Sequence, residues 1–228
     1  MMENQTFSFG ELCLLAEAFD VTVIFGLPDK KTEVLFDSAF ITDAGKALQE
    51  KRILDEENHL TEAGFFVVRA LEEYCASGEY VRLNNLMIGF SADKKRLIVL
   101  SEVVADEAYK LVVYDTLSFL KELYETVPMI AREPLAEDIE YTMKKLRNAT
   151  RREWNKDQFD EEIVNLEIFS DKDLEDENNH VQWLFFEKDE KLAGIDITAE
   201  KYYQFSQYYF MKLIFEALHI SLEALKEL

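Results

Sequence analysis

The chain has 228 residues, 48% of them hydrophobic and 13% aromatic, enough apolar material to bury a large core and to exclude intrinsic disorder. Forty-six acidic against 25 basic side chains leave a net charge of −21, a field that repels phosphate backbones and anionic lipid, so neither nucleic acid nor membrane insertion is expected. Only seven glycines and three prolines are present, which disfavours loop-rich all-β architectures and predicts that helix dominates.

Taken in chain order, FSFGELCLLAEAF opens with a helix start: Ser8 as N-cap, Glu11 as its capping-box partner, and Phe7 with Leu12 as a hydrophobic staple. VTVIFGLP, residues 21–28, reads as a brief strand or a buried connector stopped by Gly26 and Pro28. A second helical region is predicted over residues 32–54, interrupted by a turn between Thr42 and Gly45. LTEAGFFVVRALEEYCASG begins a third helix with Thr61 as N-cap, Leu60 and Phe65 as a staple, and Gly78 as its end. YVRLNNLMIGFSADKKRLIVLSEVVADEAYKLVVYD then reads as an antiparallel meander of three strands. Its apolar phase shifts at Asn84 and Asn85, which predicts a β-bulge, and Leu97 to Leu100 are apolar on both faces, which predicts a strand covered on both sides. TLSFLKELYETV returns to a helix.

Pro128 and Pro134 bracket a connector, so the expected division is residues 1–128, a helical region with the meander, and residues 129–228, packed with the first as one globular unit. In the second part a long helix is predicted over residues 135–154, then strands at IVNLEIF, VQWLFFEK and LAGIDI. A further helix is predicted from Thr198 through KYYQFSQYYFMKLIFEAL, stapled by Ile197 and Tyr202, and Ser221 caps a last short one. The expected fold class is α+β: a central antiparallel sheet flanked by helices, with a possible pseudo-twofold relation between the halves.

The chemical motifs of enzymes are missing from the sequence. His59, His180 and His219 lie in three separate segments without metal-ligand spacing, and there is neither a nucleophile elbow nor a glycine-rich phosphate loop, so no catalytic residue, metal or cofactor is expected. Cys13 and Cys75 each sit in an apolar helical pattern, as thiols buried in a reducing compartment do. DKDLEDENN has acids at calcium-loop spacing but Asp176 where the loop needs glycine, which marks a solvated acidic loop. Six basic residues between Lys144 and Lys156 follow acids at the start of the same predicted helix, and complement its dipole. Tyr202, Tyr203, Phe205, Tyr208, Tyr209 and Phe210 surround more than one face of their predicted helix, which makes it the interface candidate on composition.

The first helix and its connector FSFGELCLLAEAFDVTVIFGLP, the run HLTEAGFFVVRALEEY followed by EYVRLNNLMIGFSADKKRLIVL, and the aromatic KYYQFSQYYFMKLIFEAL together resemble the EspG-like chaperones of type VII secretion, and more closely their EsaE-like counterparts in Gram-positive bacteria. The resemblance implies a sheet platform with helical flanks and a cytoplasmic role: holding a secreted helical protein soluble until export, without a cofactor. The expected partner surface joins the sheet turn (Phe90, Ala92, Asp93, Lys94, Lys95) to the aromatic helix (Tyr203, Gln207, Phe210), in a monomer or weak dimer. The alternative is an acidic immunity or inhibitor protein that neutralises a toxin by charge. A signal peptide is not expected, since MMENQTFSFGEL has no basic region and no apolar run of signal length.

Overall fold

A computed structural model describes residues 5–28, 38–136, 138, 142–146, 162–169 and 180–220. The chain is an α+β protein in which strands claim nearly as many described residues as helices, so the expected helical dominance does not hold. It divides into two compact units, residues 1–80 with 85–115, and residues 81–84 with 116–228. The expected division lay at 128/129; the structural one falls where the meander's last strand hands over to a helix.

The first unit starts with β1 (Phe7–Ser8) and α1 (Phe9–Ala16). Ser8 accepts from the Glu11 N–H while the Glu11 carboxylate accepts from the Ser8 N–H at 2.7 Å, so the capping box forms as predicted. Glu11 is buried, and its charge is met by Lys51 Nζ, 2.5 and 2.7 Å from the two carboxylate oxygens. Residues 21–28 form a connector whose Ile24 and Phe25 are buried. α2 (Ser38–Glu50) runs unbroken through the predicted turn at Thr42 to Gly45, because Ala44 and Leu48 bury one face across it. The predicted start at Thr32 lies outside the described residues. α3 (Glu62–Cys75) is capped by Thr61, which accepts from the Gly64 N–H at 3.0 Å. The staple is not made as predicted: Phe65 is 63% exposed. The helix ends at Cys75 rather than at Gly78.

The meander contains β3 (Leu86–Phe90), β4 (Arg96–Val104) and β5 (Ala108–Asp115), antiparallel, with β1 beside β5. β4 is buried from Leu97 to Leu100, as its two apolar faces predicted. Asn84 and Asn85 do not make a bulge. They form a turn with Asn84 at φ 54°, which splits the first predicted strand into β2 (Tyr80–Leu83) and β3. A turn shifts apolar phase as a bulge does, and asparagine tolerates the left-handed conformation.

The second unit holds α4 (Thr116–Thr126), the one-turn α5 (Pro128–Ala131), β6 (Met143–Lys145), β7 (Val164–Phe169), β8 (His180–Lys188), β9 (Lys191–Asp196), β10 (Lys201–Phe205) and α6 (Gln207–Ala217). Its strands lie in the order β2-β7-β8-β9-β10-β6. Two predicted helices are corrected. Residues 143–145 form a strand paired with β10, so Lys144 and Lys145 are not at a helix end; the rest of that basic run, residues 147–156, lies outside the described residues. The aromatic helix predicted from Thr198 is a strand followed by a helix, with Ser206 between them. Thr198 sits in the β9–β10 turn, where Asp196 Oδ1 accepts from the Ala199 N–H, so Ile197 and Tyr202 staple nothing. The acidic run 171–179 and the cap at Ser221 also lie outside the described residues.

Burial accounts for two further features. Cys75 is held protonated by its apolar surroundings, its ionisation pushed up from 9.0 to about 12, and burial first, then the charges of Glu102 and Asp106, push Tyr109 up to about 12. An unfolded chain releases these protons from about pH 9, so the stability they contribute is complete below pH 9 and declines as pH rises towards 12. Urea midpoints measured from pH 8 to 11 should fall monotonically above pH 9.

Close helix packing fixes the second feature. A Cβ built on Gly64 collides with the Ile53 carbonyl oxygen, whereas one on Gly45 meets only Leu14 Cδ2 at 3.9 Å. Both glycines lie in helices, where alanine is intrinsically better by about 1 kcal/mol. Gly45→Ala should therefore raise stability by about 0.5–1 kcal/mol, and Gly64→Ala should lower it by about 1–3 kcal/mol because a backbone atom cannot be moved aside cheaply. Thermal melts of the two variants give opposite signs on this account.

Candidate functional grooves

The predicted turn belongs to the first unit and is rigid. Ser91 Oγ donates to Asp93 Oδ1 at 2.8 Å and accepts from the Arg96 N–H at 3.0 Å; Asp93 Oδ1 also accepts from the Lys95 N–H at 3.2 Å. These bonds, the Ser91 hydroxyl foremost, hold the Asp93 carboxyl below the usual range. Lys94 takes φ 56° and pairs with Glu79, and Arg96 Nη2 lies 2.7 Å from Glu73 Oε1. Ala92, Asp93, Lys94 and Lys95 are exposed, but Phe90 is only 4% exposed and belongs to the core. It is not part of the turn's surface.

Tyr203, Gln207 and Phe210 belong to the second unit. Tyr203 is half-buried on β10, its ring 5.7 Å from Trp183 and 6.0 Å from Phe205. Gln207 and Phe210 are 3% and 0% exposed, so neither forms the outer surface expected of it. Gln207 Nε2 donates to the Met129 carbonyl at 2.9 Å, and its Oε1 accepts from Arg132 Nη1 at 3.5 Å. Phe210 meets Phe185 edge-on at 4.9 Å, in a cluster with Phe205 and Trp183. A Cβ on Gly194 would stand 2.6 Å from Phe205 and 2.9 Å from Phe185, so glycine is what lets these rings close over β9.

What this core leaves uncovered is a second apolar stripe on each of two helices. On α6, Phe210, Ile214 and Ala217 face inward while Tyr208, Met211 and Phe215 follow another line around the helix. On α4, Phe119 and Leu123 are buried while Leu117, Leu120 and Tyr124 form the second line; Tyr124 is 59% exposed. Leu117, Leu120, Tyr124, Met211 and Phe215, with Ile130, line one groove of about 560 Å³. Charges flanking it pair along each helix, Lys121 with Glu125 at 3.9 Å and Lys212 with Glu216 at 3.6 Å, and α4 also carries Glu122. The helix α4 is predicted from the sequence but not as part of a partner surface, although the spacing of Leu117, Leu120 and Tyr124 beside that of Phe119 and Leu123 signals two apolar faces.

A second groove, of about 670 Å³, opens between α1, α2 and α3 in the first unit. Among the described residues, the one group of side chains able to converge on a cation is Asp55, Glu57 and His59, all exposed. Asp55 Oδ1 there accepts from the Glu57 and His59 N–H groups, which is a turn-capping role. No helix among the described residues is long and apolar enough to cross a membrane.

Fold and surface thus define an α+β protein whose open features are apolar grooves between helices. The chain belongs to the family described as Domain of unknown function (DUF5081), whose model matches residues 1–226. It is also similar to the Type VII secretion system protein EsaE of Staphylococcus aureus strain USA300, and to that of strain NCTC 8325 / PS 47, in each case 25% identical over 139 residues. That match covers 60% of this chain and 61% of the length of these curated relatives.

The burial of Gln207 yields an expectation opposite to that of a surface anchor. Gln207→Leu strands the Met129 carbonyl and part of the Arg132 guanidinium, and should cost about 1–3 kcal/mol of stability. Chemical denaturation checks this; an unchanged midpoint would return Gln207 to the outer surface.

Proposed function

We propose that the chain is a non-enzymatic binding protein of type VII secretion, a chaperone that holds a secreted helical protein in the cytoplasm before export, in the manner of EspG-like chaperones. The observation that carries this reading is the groove between α4 and α6, two helices whose second apolar stripes face one space. An amphipathic helix laid there would complete a three-helix layer, the packing that helix-in-groove recognition uses. The likeness to EsaE supplies the biological setting. The work requires no nucleophile and no cofactor, only the covering of apolar surface that would otherwise aggregate.

Because the flanking lysines are already paired with glutamates on their own helices, client binding should draw on apolar burial and tolerate salt. The test is affinity capture with the full chain from its native host, followed by titration of the captured client. Recovery of a helical protein exported by the type VII system supports the reading, and Leu117→Asp or Met211→Asp should then weaken binding about 30-fold, the loss of one anchor. Circular dichroism controls for folding. A client held equally well by both variants removes the groove from the account. An affinity that falls by about two decades or more between low and high salt would favour the acidic inhibitor instead.

A further inference from the structure

We infer that the groove of the first unit is a separate docking site, and that it takes an amphipathic helix whose flanks are basic. Its floor is apolar: Leu14, Leu15, Ile41, Leu48, Leu60 and Val68 come from all three helices and the loop before α3. Ala18 and Gly45, both lining, keep side-chain bulk away from the opening, so a fourth helix can approach closely. Phe65, one turn before Val68 on α3, is exposed and extends the apolar surface outward.

The wall is already in place. Gln49 Nε2 donates to the Asp55 carbonyl at 3.0 Å and to Asn58 Oδ1 at 3.0 Å, and Thr61 Oγ1 donates to the Arg52 carbonyl at 2.7 Å. A loop tied at these points loses little freedom when a partner arrives, which favours affinity.

Charge selects the occupant. Glu17 and Lys46 both line the groove, and the acidic excess comes from the segments around it, which carry Asp20, Asp43, Glu50, Glu56, Glu57 and Glu62. Against them, Lys46 sits 3.9 Å from Asp43, and Lys51 is committed to Glu11 and the Thr6 carbonyl, which leaves Arg52 and Arg69 to offset the excess. On α4 and α6 the excess is smaller, Glu122, Glu125 and Glu216 against Lys121 and Lys212, so the two seats differ in the flank charge they favour. This site goes beyond the client-holding reading and does not depend on it.

The test uses the full chain and three synthetic 18-residue helical peptides, followed by fluorescence anisotropy. Two share a leucine stripe and carry lysine or glutamate elsewhere; the third carries lysine without leucine. The lysine–leucine peptide should bind saturably and at least about tenfold tighter than either of the others. Ala18→Trp, which fills the opening from an exposed position, should weaken it about tenfold or more, Glu17→Lys should reduce the preference for lysine, and Leu117→Asp in the other unit should leave it unchanged. If Ala18→Trp does not fold, Glu17→Lys, at an exposed position, carries the comparison. Equal binding of all three peptides, wild-type binding by both first-unit variants, or loss in Leu117→Asp alone would each overturn the inference. Client capture can fail while this peptide binds, and the reverse, so the two readings fall separately.

Discussion

The arrangement of the second unit depends on one buried hydroxyl. Ser206 Oγ accepts from the Tyr209 N–H at 3.2 Å, starting α6, and from the Thr142 N–H at 3.0 Å, while the Ser206 N–H donates to the Thr142 carbonyl at 3.0 Å. It therefore ends one strand, begins a helix and pins the approach to β6 at a single position. Without that break the aromatic residues would continue along one element, and could not both line a sheet and pack on it from α6. Arg132 fixes the neighbouring corner: it donates to the Glu190 carbonyl at 2.7 Å and lies 3.7 Å from Asp138, whose carboxylate also accepts from the Leu135 and Gln207 N–H groups. A half-buried ion pair of this kind gives up hydration for its attraction, so its net stabilisation is small and what it fixes is position.

Given this corner, α6 has one face spent on Phe185 and its neighbours and another left to α4. The large negative charge is distributed to match. Where the surface is apolar between α4 and α6, lysine and glutamate pair along the same helix; where it is apolar between α1 and α2, acids remain in excess. Overall acidity and local recognition are therefore different properties of this chain. The net charge acts over the whole surface, whereas the grooves are local openings in it.

Much of the fold was legible in the sequence wherever a local rule had a single solution. Ser8 with Glu11, Thr61 as a cap, and the double apolar character of Leu97 to Leu100 each named their own structure. The aromatic run was misread because KYYQF alternates over only five residues, too few to separate period 2 from a helix with excess rings, and Ser206 looked like an interior serine. Gly45 looked like a turn because its neighbours, not itself, carry the helix's buried face. The site was less legible than the fold. Phe90, Gln207 and Phe210 were chosen for residue type, whereas accessibility is decided by what packs over them, and only the second stripe on α4 was visible as a pattern.

β6 lies at the end of its unit's strand order, with Met143, Lys144 and Lys145 all exposed. A sheet that ends this way advertises unpaired backbone groups to any extended chain nearby, including another copy of itself. Two such borders brought together would place four ammonium groups along one short ladder, and like charges set opposite one another weigh against that pairing. A strand this brief and this basic works as a hem: among the described residues it ends the β-layer without inviting the next molecule to extend it.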